Sequence, residues 1–344
     1  MTDVVQPDAA GIQRAAGVLR AGGLVAFPTE TVYGLGVHAL DREAVRRLFL
    51  AKGRPANDPL IVHVATLDGA ASLLASRPGS VAALAGRFWP GPLTLVLPKS
   101  RLVPDEVTAG LASVAIRIPA HPVALALIEA AGIPIAAPSA NLFSRPSPTR
   151  AAHVLADLDG RIDLVVDGGD TSVGVESTVL DLTRDIPTVL RPGAVTLEML
   201  GAVLPHVRMR DASHTASGAE PMASPGLLSR HYSPRAPLTL YEGHAAAVVA
   251  RLAADARDAA HQGQRVGILA ADDDPVDGFT IVRVGSDGDL PGVAARLYAA
   301  LREIDAAGTD VILARGYPAD TGIGIAIQDR LRRAAAGRIV HVDS

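Results

Sequence analysis

Cysteine is absent from the chain of 344 residues. Its absence excludes disulfide bonds, thiolate catalysis and cysteine-ligated zinc or iron–sulfur sites. Basic residues are not in excess either, because 32 Lys and Arg stand against 36 Asp and Glu, for a formal net charge of -4. Proteins that wrap duplex DNA normally carry a strongly basic face, so that class of protein is not expected.

Long apolar runs are also missing from the sequence. No window reaches the roughly 18 uninterrupted apolar residues of a membrane span. The N-terminal residues include acidic groups and no unbroken apolar core, unlike a signal or transit peptide. From these two absences we expect a cytoplasmic protein without a membrane partner.

The chain is rich in apolar residues, at 49%, and is too long for one ordinary hydrophobic core. We therefore predict two globular domains. A stretch rich in Ser, Ala, Gly and Pro, without an apolar period, indicates a linker between them. The predicted boundaries are residues 1–205 for the first domain, 206–237 for the linker and 238–344 for the second domain.

Helical and strand patterns alternate along the first domain, which is typical of α/β folds. Several predicted strands follow one another with no helix between them, so a twisted, mixed sheet is expected rather than a parallel one. The predicted helices cover residues 7–21, 42–51, 80–88, 121–131 and 151–158. The predicted strands cover residues 24–28, 60–64, 93–98, 114–118, 135–137, 164–167, 178–181 and 188–191.

The second domain has the pattern of a smaller, Rossmann-like α/β domain. Its predicted strands cover residues 238–241, 265–269, 279–284, 310–314 and 338–342, and its predicted helices cover 244–260, 290–306 and 323–335. The domain lacks a G-x-G-x-x-G turn after its first strand, and GIGIAI at 322–327 follows no phosphate-loop pattern. A dinucleotide site is therefore not expected there.

Polar residues of the first domain concentrate in short segments at predicted strand ends, where α/β sheets bind ligands. Lys52, Arg54 and Arg117 supply positive charge there, and nearby Thr, Ser and Asn side chains supply hydrogen-bond donors. This mixture suits an anion with several oxygens, such as a nucleotide phosphate. Arg117 interrupts the apolar strand VAIRIP, and a guanidinium facing a sheet interior needs an anionic partner.

Structural roles remain open for several of these residues. Lys52 and Arg54 end a predicted helix, where cations complement the helix dipole without any ligand. Thr31 and Ser139 could cap helices or close turns. His63, which ends the strand LIVH, could be a half-buried imidazole with satisfied hydrogen bonds.

No general base or metal cluster stands out in the sequence. Nothing in the spacing of Glu30 and Glu176 brings them together as an acid–base pair, and each could bond backbone amides in its own turn. The sequence contains no G-x-x-x-x-G-K-[ST] loop and no His/Asp/Glu cluster with metal-ligand spacing. Any magnesium ion is therefore expected to arrive with a nucleotide and to keep several waters.

Taken together, several segments resemble the YrdC-like family, and the linker and second domain resemble the longer, Sua-type threonylcarbamoyl-AMP synthases. The match covers nearly the whole chain, and seven segments in order with compatible spacing make coincidence negligible. The segments are PTETVYGLG (28–36), KGRPANDPLIVH (52–63), FWPGPLT (88–94), AIRIP (115–119), APSAN (137–141), GVESTVLD (174–181) and RPGA (191–194), followed by SPGLLSRHYSP (224–234).

The resemblance implies an α/β enzyme with a YrdC-like catalytic domain that joins L-threonine, bicarbonate and ATP into threonylcarbamoyl-AMP and releases pyrophosphate. Mg2+ would accompany the ATP. Other enzymes, the tRNA threonylcarbamoyl transferase machinery, would then pass the threonylcarbamoyl group to adenosine 37 of tRNA. The tRNA itself is a further candidate partner.

The resemblance also implies roles for individual residues. Lys52 and Arg54 would be catalytic and stabilise charge on the phosphoryl oxygens, and Arg117 would hold the carboxylate of threonine. The threonine pocket would be formed by Thr31, His63, Arg117, Ala137 and Ser177. ATP would be contacted by Lys52, Arg54, Asp58, Ser113, Ser139, Asn141, Ser147, Arg191 and Tyr232. Tyr232 would reach the site from the linker, folded back as a lid.

One of these positions departs from the family pattern. Many relatives have Asn or another polar residue where this chain has Asp58. A carboxylate near phosphates is repulsive unless it faces the ribose, the base or a magnesium ion.

Two other functions fit parts of the sequence. A concave, positively lined α/β surface could act as a non-catalytic RNA-binding module, although the acidic balance and the missing pattern of exposed aromatic residues disfavour it. YrdC-like modules in hydrogenase maturation act on carbamoyl phosphate. This chain lacks the zinc-finger cysteines and the acylphosphatase-like region that accompany them.

Overall fold

The structure of the protein, a computed structural model, describes residues 1–210, 222 and 231–342. The chain divides into two compact units. The first contains Met1–Phe143 and Ser147–Leu227, and the second contains Ser144–Pro146 and Leu228–Ser344. Most of the predicted linker lies outside the described residues.

The helices of the first unit begin and end close to their predicted positions. In its described residues they are α1 (Ala9–Arg20), α2 (Arg42–Lys52), α3 (Ser80–Phe88), α4 (Asp105–Thr108), α5 (Pro122–Ala131), α6 (Ala151–Leu158) and α7 (Leu197–Gly201). The sequence does not predict α4 and α7, because four or five residues contain too little of the 3.6-residue period.

The caps of α2 decide where Lys52 lies. The carboxylate of Asp41 accepts hydrogen bonds from two backbone amides of the first turn. Gly53 ends the helix at φ 63°, a left-handed conformation that favours glycine. Lys52 therefore occupies the last helical position, directly before the chain turns.

Eleven strands in the described part of the first unit form one sheet. They are β1 (Asp3–Val5), β2 (Val25–Phe27), β3 (Gly34–His38), β4 (Ile61–His63), β5 (Leu93–Pro98), β6 (Ser113–Arg117), β7 (Ile135–Ala136), β8 (Leu164–Val166), β9 (Thr178–Asp181), β10 (Thr188–Arg191) and β11 (Arg208–Met209). Their order is β1-β8-β2-β3-β7-β4-β6-β5-β9-β10-β11. β4 runs parallel to β6 and antiparallel to β7, and β5 runs antiparallel to β6. The predicted mixed sheet is confirmed.

The sequence does not predict β1, β3 and β11. β3 contains Gly34 and Gly36, and glycine weakens a strand pattern. At Gly36 a Cβ atom would lie 2.8 Å from the ring of Phe27 and 2.9 Å from the side chain of Ile135. The close packing of the neighbouring strands therefore requires glycine at a position where the sequence alone indicates a loop.

Helices cover the two faces of this sheet unequally. On one face, α2 and α6 pack against β3, β4 and β6, and α3 and α7 pack against β5 and β9. On the opposite face, α1 and α5 cover β2, β7 and β8. The rest of that second face carries a small apolar cluster to which no described helix contributes. This apolar floor consists of Ile61, Val96, Ala115, Val179 and Leu190.

The second unit contains a five-stranded parallel sheet with the order β14-β13-β15-β12-β16. Its strands are β12 (Leu238–Gly243), β13 (Val266–Ala271), β14 (Thr280–Gly285), β15 (Val311–Arg315) and β16 (Ile339–Val342), and its helices are α8 (Ala245–His261), α9 (Leu290–Ala306) and α10 (Gly324–Ala335). Each predicted element is present within two residues of its expected bounds. The Rossmann-like prediction is confirmed.

Helices lie on both faces of this second sheet. Leu252 of α8 packs with Ile268 and Leu313 on one face. On the other face Ile304 of α9 lies against Gly267, where a Cβ atom would be only 2.8 Å from the isoleucine side chain. Across the described ranges of the chain, no helix has both the length and the apolar character that a membrane span needs.

Candidate active site

Two adjacent parallel strands place His63 and Arg117 side by side. The two residues are the last of β4 and β6 and are partners in the register. Because side chains alternate between the faces of a sheet, Ser113, Ala115 and Arg117 share one face of β6, and Ile61 and His63 share the same face of β4. This is the face that carries the apolar floor.

Strand β5 and the residue directly before β9 add hydroxyl groups to this face. The register of β5 with β6 puts Thr94 level with Arg117, so that His63, Arg117 and Thr94 form a row across three strands. The hydroxyl oxygens of Thr94 and Ser177 are 2.8 Å apart. The row therefore combines an imidazole, a guanidinium and two hydroxyl groups beside the apolar floor.

Arg117 is buried and is held by the segment that follows β2. Its Nη2 donates to Glu30 Oε1 at 2.6 Å, and its Nη1 donates to Thr31 Oγ1 at 3.0 Å. Its Nε donates to the carbonyl of Gly91 at 3.3 Å. The other carboxylate oxygen of Glu30 accepts from the amide of Ala120 at 3.0 Å. Glu30 is thus the anionic partner that the sequence requires, while binding of the threonine carboxylate stays a prediction.

His63 is buried, with 3% of its surface exposed. Burial, and next the positive charge of Arg117, lower the pKa of His63 to about 3, so the imidazole is neutral at neutral pH. Its Nδ1 is buried and has no hydrogen-bond partner in the described part of the chain. The imidazole is therefore fully rather than half buried. Such a nitrogen costs free energy unless a ligand provides a partner.

Thr31 and Ala137 border the row. Thr31 Oγ1 lies 2.8 Å from Thr29 Oγ1, and the Thr29 hydroxyl donates to the carbonyl of Val32 at 2.7 Å. Thr29 therefore closes the turn that carries Thr31 to Arg117. Ala137 follows β7, and its amide donates to the carbonyl of Ile61 at 2.9 Å. The fold thus gathers the residues of the predicted threonine pocket around one face of the sheet.

Ser177 and Arg191 are bonded to each other. The Nε and Nη2 of Arg191 donate to the carbonyl of Ser177 at 3.1 and 3.0 Å, and Nη2 lies 3.2 Å from the serine hydroxyl. Gly193 packs against the same segment, since a Cβ atom there would be 2.5 Å from the amide nitrogen of Thr178. The segments GVESTVLD and RPGA consequently form one structure, and the predicted contact of Arg191 with ATP stays a prediction.

A second carboxylate, which the sequence does not assign, holds Ser147. The hydroxyl of Ser147 donates to Glu176 Oε1 at 2.5 Å, and both residues are buried. Glu176 directly precedes Ser177, so the predicted ATP contact Ser147 lies next to the predicted threonine pocket. The role of Ser147 towards ATP stays a prediction.

The ammonium group of Lys52 bonds a segment outside its own helix. Its Nζ donates to the carbonyl oxygens of Ser139 and Asn141, both at 2.5 Å. Gly34 forms an isolated bridge with Ser139, which ties the same segment to β3. The helix-dipole explanation is thus insufficient for Lys52. Three residues predicted to contact ATP are brought together here.

Arg54 and Asp58 neutralise each other. Nη2 of Arg54 lies 2.8 Å from Oδ2 of Asp58, and both side chains are buried. Arg54 also donates to the backbone carbonyls of Asp58 and Pro59, at 3.1 and 2.8 Å. The positive charge of Arg54 thus offsets the repulsion expected between Asp58 and a phosphate. The catalytic role of Arg54 and the ATP contact of Asp58 stay predictions.

Ser113 and Tyr232 do not belong to the row formed by His63, Arg117 and Thr94. Ser113 begins β6, four positions before Arg117, which corresponds to about 13 Å along the strand. Tyr232 belongs to the second unit, where its ring centroid lies 5.3 Å from that of Tyr298 and 5.5 Å from the guanidinium carbon of Arg330. The predicted ATP contacts of Ser113 and Tyr232 stay predictions. The predicted lid also stays a prediction, and residues 223–230 of its segment lie outside the described residues.

Metal ligands are not gathered in the described part of the molecule. Within residues 1–210, 222 and 231–342 there is no group of three or more His, Asp or Glu side chains that could hold a metal ion. The buried carboxylates of Asp58 and Glu176 already contact Arg54 and Ser147. The described residues therefore offer no protein cage for Mg2+.

Two family models match the chain. The model Sua5_yciO_yrdC, described as "Telomere recombination", matches residues 17–193. The model described as "Threonylcarbamoyl-AMP synthase, C-terminal domain" matches residues 195–336. The two matches follow one another along the chain.

Known proteins resemble the chain over nearly its whole length. A threonylcarbamoyl-AMP synthase from Pyrococcus abyssi is 46% identical over 96% of both chains. One from Bacillus subtilis is 46% identical over 99% of this chain and 97% of its own. The crystal structure of P. abyssi Sua5 complexed with L-threonine has a TM-score of 0.93 at 44% identity and covers 99% of each chain. The chain therefore belongs to the threonylcarbamoyl-AMP synthase family.

Proposed function

We propose that this chain catalyses the synthesis of threonylcarbamoyl-AMP and pyrophosphate from L-threonine, bicarbonate and ATP. The observation that carries this proposal is the pair formed by Arg117 and the buried His63, whose Nδ1 has no partner in the described residues. A threonine carboxylate complements the guanidinium, and its hydroxyl or amine complements the imidazole nitrogen. The relative from P. abyssi was crystallised with L-threonine, which supports the same ligand here.

The surroundings of the pair suit threonine in particular. The side chains of Ile61 and Ala115 form the near part of the apolar floor, on the same face as His63 and Arg117. They would contact the methyl group of the substrate. Thr31 would share Arg117 with the carboxylate, since its hydroxyl already lies 3.0 Å from Nη1.

The nucleotide would be held beside this pocket. The ammonium of Lys52, fixed by the carbonyls of Ser139 and Asn141, would stabilise charge that develops on the phosphoryl oxygens. A charge that is already in position needs no reorganisation during the reaction. Further contacts to ATP would come from Arg54, Ser113, Ser147, Arg191 and Tyr232, and Asp58 would act on ATP through Arg54, whose charge it neutralises.

The proposed reaction is a nucleotidyl transfer in two steps. The amine of threonine attacks bicarbonate, and water leaves as the carbamate forms. An oxygen of the carbamate then attacks the α-phosphorus of ATP, and the bond to the β-phosphate oxygen breaks to release pyrophosphate. Because the carbamate is labile in water, the main task of the protein is to align the reactants and to exclude water. Alignment can supply roughly 7–11 kcal/mol of the barrier.

Mg2+ is proposed to enter with ATP. Since the described residues offer no carboxylate cage, triphosphate oxygens and water would hold the ion. When bound, it supplies charge neutralisation at the phosphoryl oxygens. No step above depends on a protein ligand to the ion.

The product of this reaction is an activated acyl-adenylate, so a later enzyme must accept its acyl group. We place the transfer to adenosine 37 of tRNA at that step, carried out by a separate threonylcarbamoyl transferase machinery in the cytoplasm. Contact between this chain and tRNA is part of the same proposal.

The decisive experiment measures pyrophosphate release from ATP with threonine and bicarbonate omitted in turn. Release should require both. Arg117→Ala should abolish the dependence on threonine while an unreactive ATP analogue still binds. Arg14→Ala is the matched control, because Arg14 is an exposed arginine of the same unit, paired with Asp3. Salt-sensitive tRNA binding without pyrophosphate release would instead favour the RNA-binding module.

A further inference from the structure

A cavity of ≈ 270 Å³ lies in the second unit, where β12 and β15 end. Gly243 and Arg315 are the last residues of these strands, and both line it. Ala245 at the start of α8 and Gln328 of α10 form opposite walls. The proposed synthesis uses none of these residues.

The topology of the sheet marks this position as a ligand site. Helix α8 connects β12 to β13, and this connection crosses β15, which lies between them in the sheet. Helix α10 connects β15 to β16, and this connection crosses β12. α8 packs on one face of the sheet, whereas Gln328 of α10 donates to Glu242 Oε1 at 2.6 Å from the other face. The crevice between two strands whose connections leave in opposite directions is where open α/β sheets bind ligands.

The size of the cavity limits the ligand. Pockets for drug-sized molecules span about 300–1,000 Å³, and this one is smaller. The unit also lacks the glycine-rich turn of a dinucleotide site. The ligand must therefore be small.

The charges around the cavity favour a cation. Arg315 is held by Asp274 at 2.8 Å and by both oxygens of Asp287 at 2.5 and 2.6 Å. Arg332 is held by both oxygens of Glu242 at 2.6 and 3.0 Å. Carboxylates of the protein thus already bond both guanidinium groups in the lining. The lining contains three carboxylates, those of Glu242, Asp287 and Asp320, and two guanidinium groups, so its net charge is negative.

We propose that this cavity binds a small organic cation, a primary alkylamine or short alkyl diamine. The ammonium group has three donors and no acceptor, and the carboxylates of Asp320, Asp287 and Glu242 have acceptor capacity for them. The alkyl chain would lie against Val248 and Pro318, which also line the cavity. An anion would meet net repulsion at the same place.

Calorimetric titration of the full-length chain, without ATP or threonine and at low salt, tests the proposal with three four-carbon probes. They are 1,4-diaminobutane, 4-aminobutanoate and succinate. The diamine should bind with saturation at one site per chain, the zwitterion more weakly, and succinate not at all. Asp320→Asn should weaken binding of the diamine about three- to fivefold, because one lining charge is lost at an exposed position.

Two control variants locate the binding. Asp258→Asn removes an exposed aspartate of α8 that lies about 20 Å along the helix from Ala245, and it should leave the affinity unchanged. Arg117→Ala should also leave it unchanged, because Arg117 belongs to the first unit. The proposal is overturned if no probe binds, if succinate binds better than the diamine, if D320N and D258N act equally, or if R117A abolishes diamine binding. None of these results bears on pyrophosphate release.

Discussion

Arg117 and Glu30 form a buried ion pair, 2.6 Å between Nη2 and Oε1, although 87 residues separate them in the chain. Removing two charges from water costs several kcal/mol per ion, and mutual attraction offsets this only when further hydrogen bonds satisfy both groups. Thr31, Gly91 and Ala120 provide those bonds. The protein thus keeps the guanidinium of Arg117 inside the proposed pocket. A substrate carboxylate must compete with Glu30 for this guanidinium.

The substitution Glu30→Gln should destabilise the first unit by about 3–5 kcal/mol, because Arg117 would remain buried without an opposite charge. L-Threonine should recover part of this loss by placing its carboxylate on the guanidinium. The stabilisation by threonine should therefore be larger in E30Q than in the unchanged protein. Urea denaturation followed by the fluorescence of Trp89, the single tryptophan of the chain, measures both effects in this unit.

Asp3→Asn is the matched control for E30Q. Asp3 and Arg14 form an ion pair of the same type, but 55% of each side chain is exposed. Solvent screens such a pair, so D3N should leave the denaturation curve nearly unchanged. Equal losses in E30Q and D3N would contradict a special role of the buried pair.

The course of the chain is predictable from the sequence wherever the periodicity is undisturbed. Strands β5, β9 and β10 and helices α3, α6 and α9 have their predicted bounds. β3 is not predicted because Gly34 and Gly36 remove its strand pattern. Glycine is required at position 36 because a Cβ atom there would collide with Phe27 and Ile135 of the neighbouring strands. Local patterns thus locate elements but do not reveal packing between them.

The contacts of the candidate site are less predictable, for a physical reason. The sequence indicates that Arg117 needs an anionic partner, but it does not distinguish Glu30 from the other acidic residues. The position of His63 beside Arg117 depends on the register of two strands, and a slip of one residue would move either side chain to the other face. Register and long-range pairing follow from the packed fold as a whole.

A pH dependence is expected from His63. The unfolded chain takes up its proton near pH 6.5, whereas the native imidazole does so only near pH 3. Between these values the unfolded state binds more protons, so the free energy of unfolding falls as the pH falls, by up to about 1.4 kcal/mol per unit. His63→Asn should remove this contribution, and the stability difference between the two proteins should change by about 1.7 kcal/mol from pH 6.5 to pH 5.

His206→Asn provides the comparison for H63N. His206 is exposed and has φ 70°, a left-handed conformation that asparagine tolerates. Its replacement should leave the pH dependence of stability as it is. Parallel curves for H63N and the unchanged protein over this pH range would show that the imidazole of His63 is not held neutral by burial.

The pair of Arg54 and Asp58 leads to a kinetic prediction. Asp58→Asn should lower the KM for ATP at least about fivefold, because Arg54 would face the phosphates without a neutralising charge. The KM for threonine should not change. Pyrophosphate release at varied ATP measures the effect, and Asp105→Asn, which alters an exposed carboxylate paired with Lys99, is the control. A higher KM for ATP in D58N would mean that the carboxylate itself contacts the ribose, the base or a magnesium ion.

Lys52 and Lys99 are the two lysines of the chain, and they form a natural test pair. Lys52→Met should lower kcat about 100- to 1,000-fold, since it removes a fixed positive charge that the proposal places at the phosphoryl oxygens. Lys99, which bonds Asp105 and Thr108, should tolerate the same substitution without loss of kcat.

The Lys52 experiment must separate charge from structure, because the ammonium also joins α2 to the carbonyls of Ser139 and Asn141. Urea denaturation followed by Trp89 fluorescence reports the structural loss in K52M. At a temperature where K52M is folded, a low kcat with retained binding of an ATP analogue assigns the effect to charge in the transition state. If folded K52M instead keeps the kcat of the unchanged protein, Lys52 only holds two segments together, and the positive charge for phosphoryl transfer must come from other residues.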